Sequence, residues 1–437
     1  MTPDSTRAAG KPRIFYGWYI VGAAFLANIS CAFFLSSTLS VFLKPVTADL
    51  GVSRGVFSLL RSGEHLLYAL MAPWVGTKLD RYGPRGMMVT GAALSAVGFL
   101  LLGQVYSFLQ FASVRMTLMA VGHALVCYFV VNVTVARWFV RMRGRAVAIS
   151  HMGHGVAKVT ISLVVAWLLA FIEWRQVWTL FGVLVVVLAV IPVAIFMRRS
   201  PEDMGLHPDG DAGPEPRNAT ADGQGPAVRT GEEREPEIRW TRKEVRRTST
   251  FWLIILVFGM VDMGITGVNL HVVAYVSDLG YTTYQAAFAM TVIAGTQLTS
   301  GLLSGFAGER ISIRKIISFL FLVEAIGMAV AVTGQDLRTI YLGFFLYGLG
   351  LGGVQVLEEV MWADYFGRLS LGTVRGAALQ IVLLFGVCGP PFFGFLNDYT
   401  GSYRISFFLF ITVLLCSSVL TLTIRRPRRP ASLEPAR

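Results

Sequence analysis

The segment "GTKLDRYGPR" at residues 76–85 recurs in altered form as "GFAGERISIR" at residues 305–314. Its glycine and charged positions match at a constant offset of 229 residues: Gly76 with Gly305, Asp80 with Glu309, Arg81 with Arg310, and Arg85 with Arg314. The same offset relates Asp49-Leu50-Gly51 to Asp278-Leu279-Gly280, and Trp174-Arg175 to Tyr403-Arg404. Three separated matches in one register indicate an internal duplication, so the two halves of the chain share one topology.

The composition indicates that both halves lie in a membrane. Only 15% of the residues are charged, whereas a soluble domain has about 25%. The apolar runs of roughly 20 to 28 residues are each long enough to cross a bilayer as a helix. We predict twelve transmembrane helices, at 16–43, 55–78, 86–104, 108–136, 146–171, 176–197, 250–277, 284–307, 314–333, 338–364, 374–396 and 403–424. The first run is too long for the apolar core of a cleavable signal peptide, and we interpret it as a retained helix.

A polar segment separates the sixth and seventh predicted helices. Residues 198–249 are rich in Pro, Gly, Glu and Arg, and such a segment cannot bury enough apolar surface to fold alone. The expected organisation is therefore a cytoplasmic tail (1–15), a six-helix bundle (16–197), a disordered cytoplasmic linker (198–249), a second six-helix bundle (250–424) and a cytoplasmic tail (425–437). The predicted fold class is an all-α integral membrane protein.

Basic residues distinguish the two sides of the membrane. One side collects Lys11, Arg13, Lys78, Arg81, Arg85, Arg137, Arg141, Arg143, Arg145, Arg310, Arg314, Lys315, Arg368, Arg375 and the run "RRPRR" at 425–429. The other side has Lys44, Arg54, Arg175, Arg338 and Arg404. The positive-inside rule assigns the first side, with both termini, to the cytoplasm. These loops account for the net charge of +12, so the charge does not indicate a nucleic-acid partner. We expect a lipid bilayer and a small molecule as partners, and a monomer in the inner membrane.

Several motifs resemble those of a known family. The segment at 76–86 resembles the loop 2–3 signature of the major facilitator superfamily, and 305–315 resembles its weaker second copy. "YGWYIV" (16–21), "RWFVRMRGRA" (137–146), "SPEDMGLHPDG" (200–210) and "GPPFFGFLNDYTGSYR" (389–404) are similar to the branch of monocarboxylate transporters and oxalate–formate antiporters. The resemblance implies two pseudo-symmetric six-helix bundles with a substrate site between them at mid-membrane, and transport by alternating access.

The loop signature predicts a gate at the cytoplasmic surface. The resemblance places the Asp80 carboxylate at the positive N-terminus of helix 11, near Gly372. Arg81 and Arg85, with Glu309, Arg310 and Arg314 of the second copy, would complete this latch between the halves. The alternative interpretation is that these charges only set the topology.

Ionisable groups inside the membrane are costly and indicate functional positions. In helix 5, Lys158 is about 20 Å beyond Arg145 at 1.5 Å per residue, near mid-membrane. His151, His154, Lys158 and Ser162 share one helical face, and helix 5 borders the central cavity in the fold that the resemblance implies. We predict that Lys158 contacts an anionic substrate and pairs with Asp262 when the cavity is empty. The alternatives are a structural ion pair for Lys158 and an interfacial position for His151.

Other polar residues extend this set of candidates. The predicted substrate contacts are Lys158, His154, His123, Asp262, Asn269, Gln297 and Gln380, and the predicted proton carriers are His123, His154, Asp262, Glu64 and His65. Arg61, Glu64 and His65 could instead pair with one another at their i, i+3, i+4 spacing. We interpret Glu324 as structural, and Glu358 and Glu359 as part of a gate.

The anion anchors of the resembling branch are absent. Gln297 and Gly301 occupy the helix 8 positions where the branch has an aspartate and an arginine. Ser37 lies near the helix 1 position of its lysine, and no basic residue lies between Arg375 and Arg404 in helix 11. The substrate contacts therefore differ from the branch pattern.

The sequence favours a secondary transporter of a small, carboxylate-type organic anion, by symport with protons or by antiport. The alternative is uptake or efflux of a larger neutral or amphipathic compound. The sequence has no P-loop and no HExxH motif, so we expect no enzyme activity, no metal and no cofactor. A receptor on a transporter scaffold would need a folded signalling domain, which the short polar linker and tails do not provide.

Overall fold

The structure is a computed structural model, and it describes residues 15–126, 128–139, 142–207, 209, 241–307, 312–366 and 371–427. These residues form long helices joined by short loops. In the N-terminal half they are α1 (Gly17–Leu50), α2 (Arg54–Tyr82), α3 (Pro84–Leu102), α4 (described in two pieces, Phe108–Val126 and Tyr128–Trp138), α5 (Arg143–Leu168) and α6 (Trp174–Phe196). In the C-terminal half they are α7 (Ser249–Asp278), α8 (Thr283–Ala307), α9 (Ile313–Thr333), α10 (Leu337–Phe366), α11 (Leu371–Thr400) and α12 (Arg404–Thr423).

Ten helices in the described part of the chain are long and apolar enough to cross a membrane. The two long helices outside this set are α2 and α8, and α2 carries Arg61 and Glu64 well inside its length. The protein is thus an all-helical membrane protein, and the count of twelve spans stays a prediction.

The predicted linker contains two short ordered segments. Glu202–Met204 forms a single 3-10 turn, and Arg242–Arg246 forms a short helix in which Thr241 and Glu244 build a capping box. Residues 210–240, where the sequence predicts disorder, lie outside the described residues, as do the two tails 1–14 and 428–437.

Each half has its own packed interior. In the N-terminal half, Phe42 stacks on Trp178 with ring centroids 4.1 Å apart, and Phe99 packs against the same indole at 5.5 Å. In the C-terminal half, α9 and α10 approach closely through glycines: a Cβ on Gly327 or Gly343 would overlap the facing backbone. Small residues permit such approaches between membrane helices.

The halves contact each other along three helix pairs, α2 with α11, α5 with α8, and the second part of α1 with α7. The sequence predicts the first helix as one continuous span, and the structure divides it. Gly17–Cys31 is followed by a tight turn, Leu35 is extended with ψ 149°, and the helix resumes at Ser36. The Ala32 carbonyl accepts from the Leu35 N–H at 3.1 Å and from the Thr38 hydroxyl at 2.7 Å, so local bonds hold the break. The N-terminus of the second segment therefore lies in the interior of the protein.

Candidate functional site

A cavity of about 520 Å³ lies between the two halves. This volume is within the range of about 300–1,000 Å³ that is typical of small-molecule pockets. Helices α1, α2, α4 and α5 line it from one side, and α7 and α11 from the other. Its ionisable lining residues are Arg61, Glu64, His65, His123, His151, His154 and Asp262.

A buried network of three charges lies beside this cavity in the N-terminal half. Arg61 Nη1 donates to Glu64 Oε2 at 2.9 Å, and Arg115 Nη2 donates to the same oxygen at 2.9 Å. Arg115 Nε also donates to Glu64 Oε1. All three side chains are 7% exposed or less. Two guanidinium groups share one carboxylate, so the network carries one net positive charge.

Arg61 presents part of that charge to the cavity. Its Nε donates to Ser36 Oγ at 3.0 Å, and its Nη2 has no hydrogen-bond partner among the described residues. Ser36 begins the second segment of α1, whose first N–H groups lack partners within the helix and give that end a partial positive charge. Arg61 and this helix end together form a cationic corner, and a guanidinium is suited to pairing with a carboxylate.

Sequence reasoning did not identify Arg115. It begins a π-helical turn, Arg115–Met119, and its guanidinium lies 5.7 Å from the Phe111 ring centroid and 5.6 Å from that of Trp178. A π-turn displaces side chains from the regular helical positions and often occurs at functional sites. The signal that could have found this residue is a lone arginine inside the predicted fourth span.

Four histidines line the cavity, His65, His123, His151 and His154. The His123 ring stacks between Phe34 and Tyr68, with centroids at 4.5 and 5.5 Å. The ring centroids of His151 and His154 lie 6.2 Å apart on α5. Across the described residues, no group of three His, Cys, Asp or Glu side chains has the geometry to hold a metal ion.

Lys158 lies at the contact between the halves and is not one of the residues that line this cavity. Its Nζ donates to Gln297 Oε1 of α8 at 2.7 Å, and Gln297 Nε2 donates to Gln355 Oε1 at 2.6 Å. The predicted partner Asp262 lines the cavity instead. Lys158 thus connects α5 to α8, while Ser162, one turn further along, donates to the Ser37 carbonyl at 3.2 Å.

The remaining predicted contacts and gating residues are dispersed. Asn269 is half-buried and Gln380 is exposed, and neither lines the cavity. Arg85 is exposed, and Arg314 donates to the Ile424 carbonyl at 2.8 Å. The side chains of Asp80 and Arg81 are outside the described part of the structure, as are the whole of Glu309 and Arg310.

The halves are joined beyond the cavity at one end, which we call the closed end and define by the loops at 51–53, 279–282 and 401–403. Asp278 of α7 accepts from Lys44 Nζ at 2.9 Å and from the Arg54 guanidinium. Asp398 of α11 accepts from the backbone N–H groups of Arg54 at 3.2 Å and Gly55 at 2.8 Å. A carboxylate of one half therefore caps the N-terminus of α2 in the other half, where negative charge is favoured.

His271 extends this contact towards the cavity. It is fully buried, with Nδ1 3.0 Å from the Tyr403 hydroxyl and Nε2 3.0 Å from both Ser58 Oγ and the Pro390 carbonyl. Ser58 belongs to α2 of the opposite half, so the imidazole joins the two halves. These contacts lie between the cavity and the loops of the closed end.

Comparisons with known proteins agree with this architecture. Residues 25–300 and 285–437 match the Major Facilitator Superfamily. The relatives include monocarboxylate transporter 12-B of Danio rerio, 23% identical and aligned over 94% of this chain and 87% of the relative. Monocarboxylate transporter 13 of Bos taurus is 24% identical, over 94% and 89%.

Solved structures of other transporters share the fold. A bacterial homologue of the human lysosomal transporter Spinster, in an inward-facing and occupied conformation, has a TM-score of 0.75 at 17% identity, over 95% of this chain and 97% of that one. A D-xylose–proton symporter has a TM-score of 0.70 at 12% identity, over 94% and 98%. Because the family match covers most of the chain, the protein belongs to the Major Facilitator Superfamily, as a transporter rather than an enzyme, and it resembles the monocarboxylate transporter branch.

Proposed function

We propose that the protein is a secondary active transporter that moves a small carboxylate-bearing organic anion across the inner membrane by alternating access. The observation that carries this proposal is the net positive charge of the Arg61–Glu64–Arg115 network, which meets the cavity through Arg61. A second contribution comes from the N-terminus of the interrupted α1 beside it. Half-helix N-termini at mid-membrane bind anionic substrate groups in other transporters.

The energetics favour an anion over a neutral ligand at this corner. A cation inside a membrane protein is costly unless it is paired. Glu64 neutralises one of the two guanidinium groups, and a substrate carboxylate would neutralise the other. Arg61 thereby takes the place of the branch anchors that this chain lacks, and Lys158 becomes a contact between the halves.

For the topology, we propose twelve spans with both termini in the cytoplasm. The closed end carries the poorly basic loops, which the positive-inside rule assigns to the outer side. The conformation would then shield the cavity from the outside, as in the inward-facing structure that shares this fold. Asp80 and its neighbours would close the opposite end when the closed end opens.

Transport would be coupled to protons or would proceed by exchange. Three of the candidate proton carriers, His123, His154 and Asp262, line the cavity together. A carrier in which substrate and proton meet in one cavity can couple their movements.

A larger neutral or amphipathic substrate is the second candidate. It is favoured by the apolar part of the lining, which includes Phe34, Leu35, Met119, Leu383 and Val387. Such a substrate would leave the charge of Arg61 without a partner.

The proposal can be tested with matched carboxylates and amides on the purified full-length protein. The probes are 3-phenylpropanoate, benzoate and 4-methylpentanoate, each beside its primary amide, with ligand-induced thermal stabilisation as the readout. The carboxylates should stabilise the wild type and the Lys158→Gln variant, and should fail with Arg61→Gln. In Arg61→Gln the neutral Glu64–Arg115 pair remains, so the fold should persist. Equal stabilisation by the amides would favour the neutral substrate. Loss of binding in Lys158→Gln alone would indicate that Lys158, and not Arg61, binds the anion.

A further inference from the structure

The wall of the cavity opposite Arg61 carries a carboxylate. Asp262 of α7 lines the cavity with Thr266, and its carboxylate has no hydrogen bond or ion pair among the described residues. The Thr266 hydroxyl donates a hydrogen bond to the Gly386 carbonyl at 2.8 Å. Among the described residues of this wall, the Asp262 carboxylate therefore has no side-chain partner.

The backbone of α11 packs directly on this carboxylate. A Cβ added to Gly386 would overlap Asp262 Oδ2, so the absence of a side chain at 386 leaves room for the carboxylate at the cavity surface.

The cavity therefore has one net positive wall and one negative wall. Arg61 and Asp262 are not paired with each other in this conformation. A simple monocarboxylate would pair with Arg61 but would place its own charge in one small cavity with Asp262, at a cost that low-dielectric surroundings increase. A ligand that bears both charges would compensate both walls.

Building on the proposed function, we propose that the substrate is a zwitterion of the amino acid type, with its carboxylate at Arg61 and its ammonium group at Asp262. The apolar lining accommodates an aliphatic or aromatic side chain. Each half of the protein binds one charge of the ligand, so binding draws the halves together, as alternating access requires.

The alternative role for Asp262 is that of a proton carrier without contact to the substrate. The two roles differ in what the protein selects. A carrier of protons alone would not distinguish an amino acid from the same acid without its amino group, whereas a contact to the ammonium group would.

The test uses two matched ligand sets on the purified full-length protein. The first is phenylalanine, 3-phenylpropanoate and 2-phenylethylamine; the second is leucine, 4-methylpentanoate and 3-methylbutylamine. Affinities come from thermal stabilisation at graded concentrations. In at least one set the amino acid should bind tenfold more tightly than the acid, and the amine alone should be the weakest ligand. One ion pair of about 1.4 kcal/mol corresponds to that factor.

Asp262→Asn should reduce the preference for the amino acid below twofold and leave the affinity for the acid unchanged or improved. Acids that bind the wild type as tightly as the amino acids in both sets would overturn the zwitterion and leave the carboxylate site standing. A preference for the amino acid over the acid that persists in Asp262→Asn would likewise overturn the contact between Asp262 and the ammonium group. If no carboxylate-bearing ligand binds, both proposals are wrong. The selectivity of the wild type decides the matter even if the variant fails to fold.

Discussion

Replacing Asp398 with asparagine should open the closed end. The carboxylate accepts two backbone hydrogen bonds, from Arg54 and Gly55, at the N-terminus of α2. An asparagine side chain has one acceptor oxygen, so it can keep one of these bonds and turns its NH₂ group towards the other N–H.

The expected cost follows from these contacts. A hydrogen bond to a charged group contributes about 1.5–3 kcal/mol, and a charge at a helix terminus contributes about 0.3–1 kcal/mol. Some of this is recovered by solvation when the contact opens. We therefore expect a net loss of about 2 kcal/mol for the closed state, which changes the ratio of closed to open molecules by roughly 30-fold. A ratio of closed to open molecules of about 99:1 would become about 3:1.

The readout is the distance between spin labels on Gln104 and Tyr284, two exposed residues near the closed end in opposite halves, in a chain without its four native cysteines. The matched control is Asp336→Asn. Asp336 caps α10 by accepting from the Thr339 N–H at 2.7 Å, a bond that holds the pKa of this carboxyl below its usual value. It lies within one half, so its loss should not move the labels. Identical distance distributions in the Asp398→Asn variant, the control and the parent would refute the role of Asp398.

Three further predictions concern the latch, the coupling and the cavity wall. Asp80→Asn should slow uptake in matched membrane preparations without loss of protein, since it removes the charge at the N-terminus of helix 11; unchanged flux at equal protein level would count against the latch. If a proton accompanies the substrate, uptake should rise as the outside pH falls and collapse with a protonophore, with His123, His154 and Asp262 at the cavity as the candidate carriers; insensitivity to both, with acceleration by internal substrate, would indicate exchange. Gly386→Ala should weaken binding by displacing the Asp262 carboxylate, whereas Gly295→Ala, where a Cβ meets open space, should bind as the wild type does; equal affinities would contradict the packing argument.

The periodicity of the sequence anticipated much of the helical architecture. The structure begins α2 at Arg54 and ends α12 at Thr423, within a few residues of the predictions, because apolar run length determines where a membrane helix can begin and end. The break at Leu35 was not predictable in the same way. It has no proline or glycine, and the local bond from the Thr38 hydroxyl to the Ala32 carbonyl leaves no mark in the apolar periodicity.

The repeat likewise predicts equivalent positions but not equivalent partners. Asp49 and Asp278 match at the common offset, yet Asp49 pairs with Arg175 of its own half at 2.6 Å, whereas Asp278 pairs with Lys44 and Arg54 of the other half. A sequence match specifies helix position, and partner choice depends on how the two bundles are oriented.

The candidate site shows the same limit. The spacing on α5 predicted His151 and His154 on one face, and both line the cavity. It could not show that Lys158, further along that face, would meet Gln297 across the boundary between the halves. The network around Glu64 brings α2 and α4 together, and no pattern within one helix reveals such a contact.

Arg61 as the anion site is tested by a structure of the full chain in a lipid nanodisc with the carboxylate-bearing ligand that stabilises it most. The assignment of the anion site to Arg61 predicts a ligand carboxylate within about 2.7–3.2 Å of its guanidinium, beside the N-terminus of the α1 segment that begins at Ser36. A ligand carboxylate bound to Lys158, or a ligand that lies outside the cavity between the halves, would contradict it.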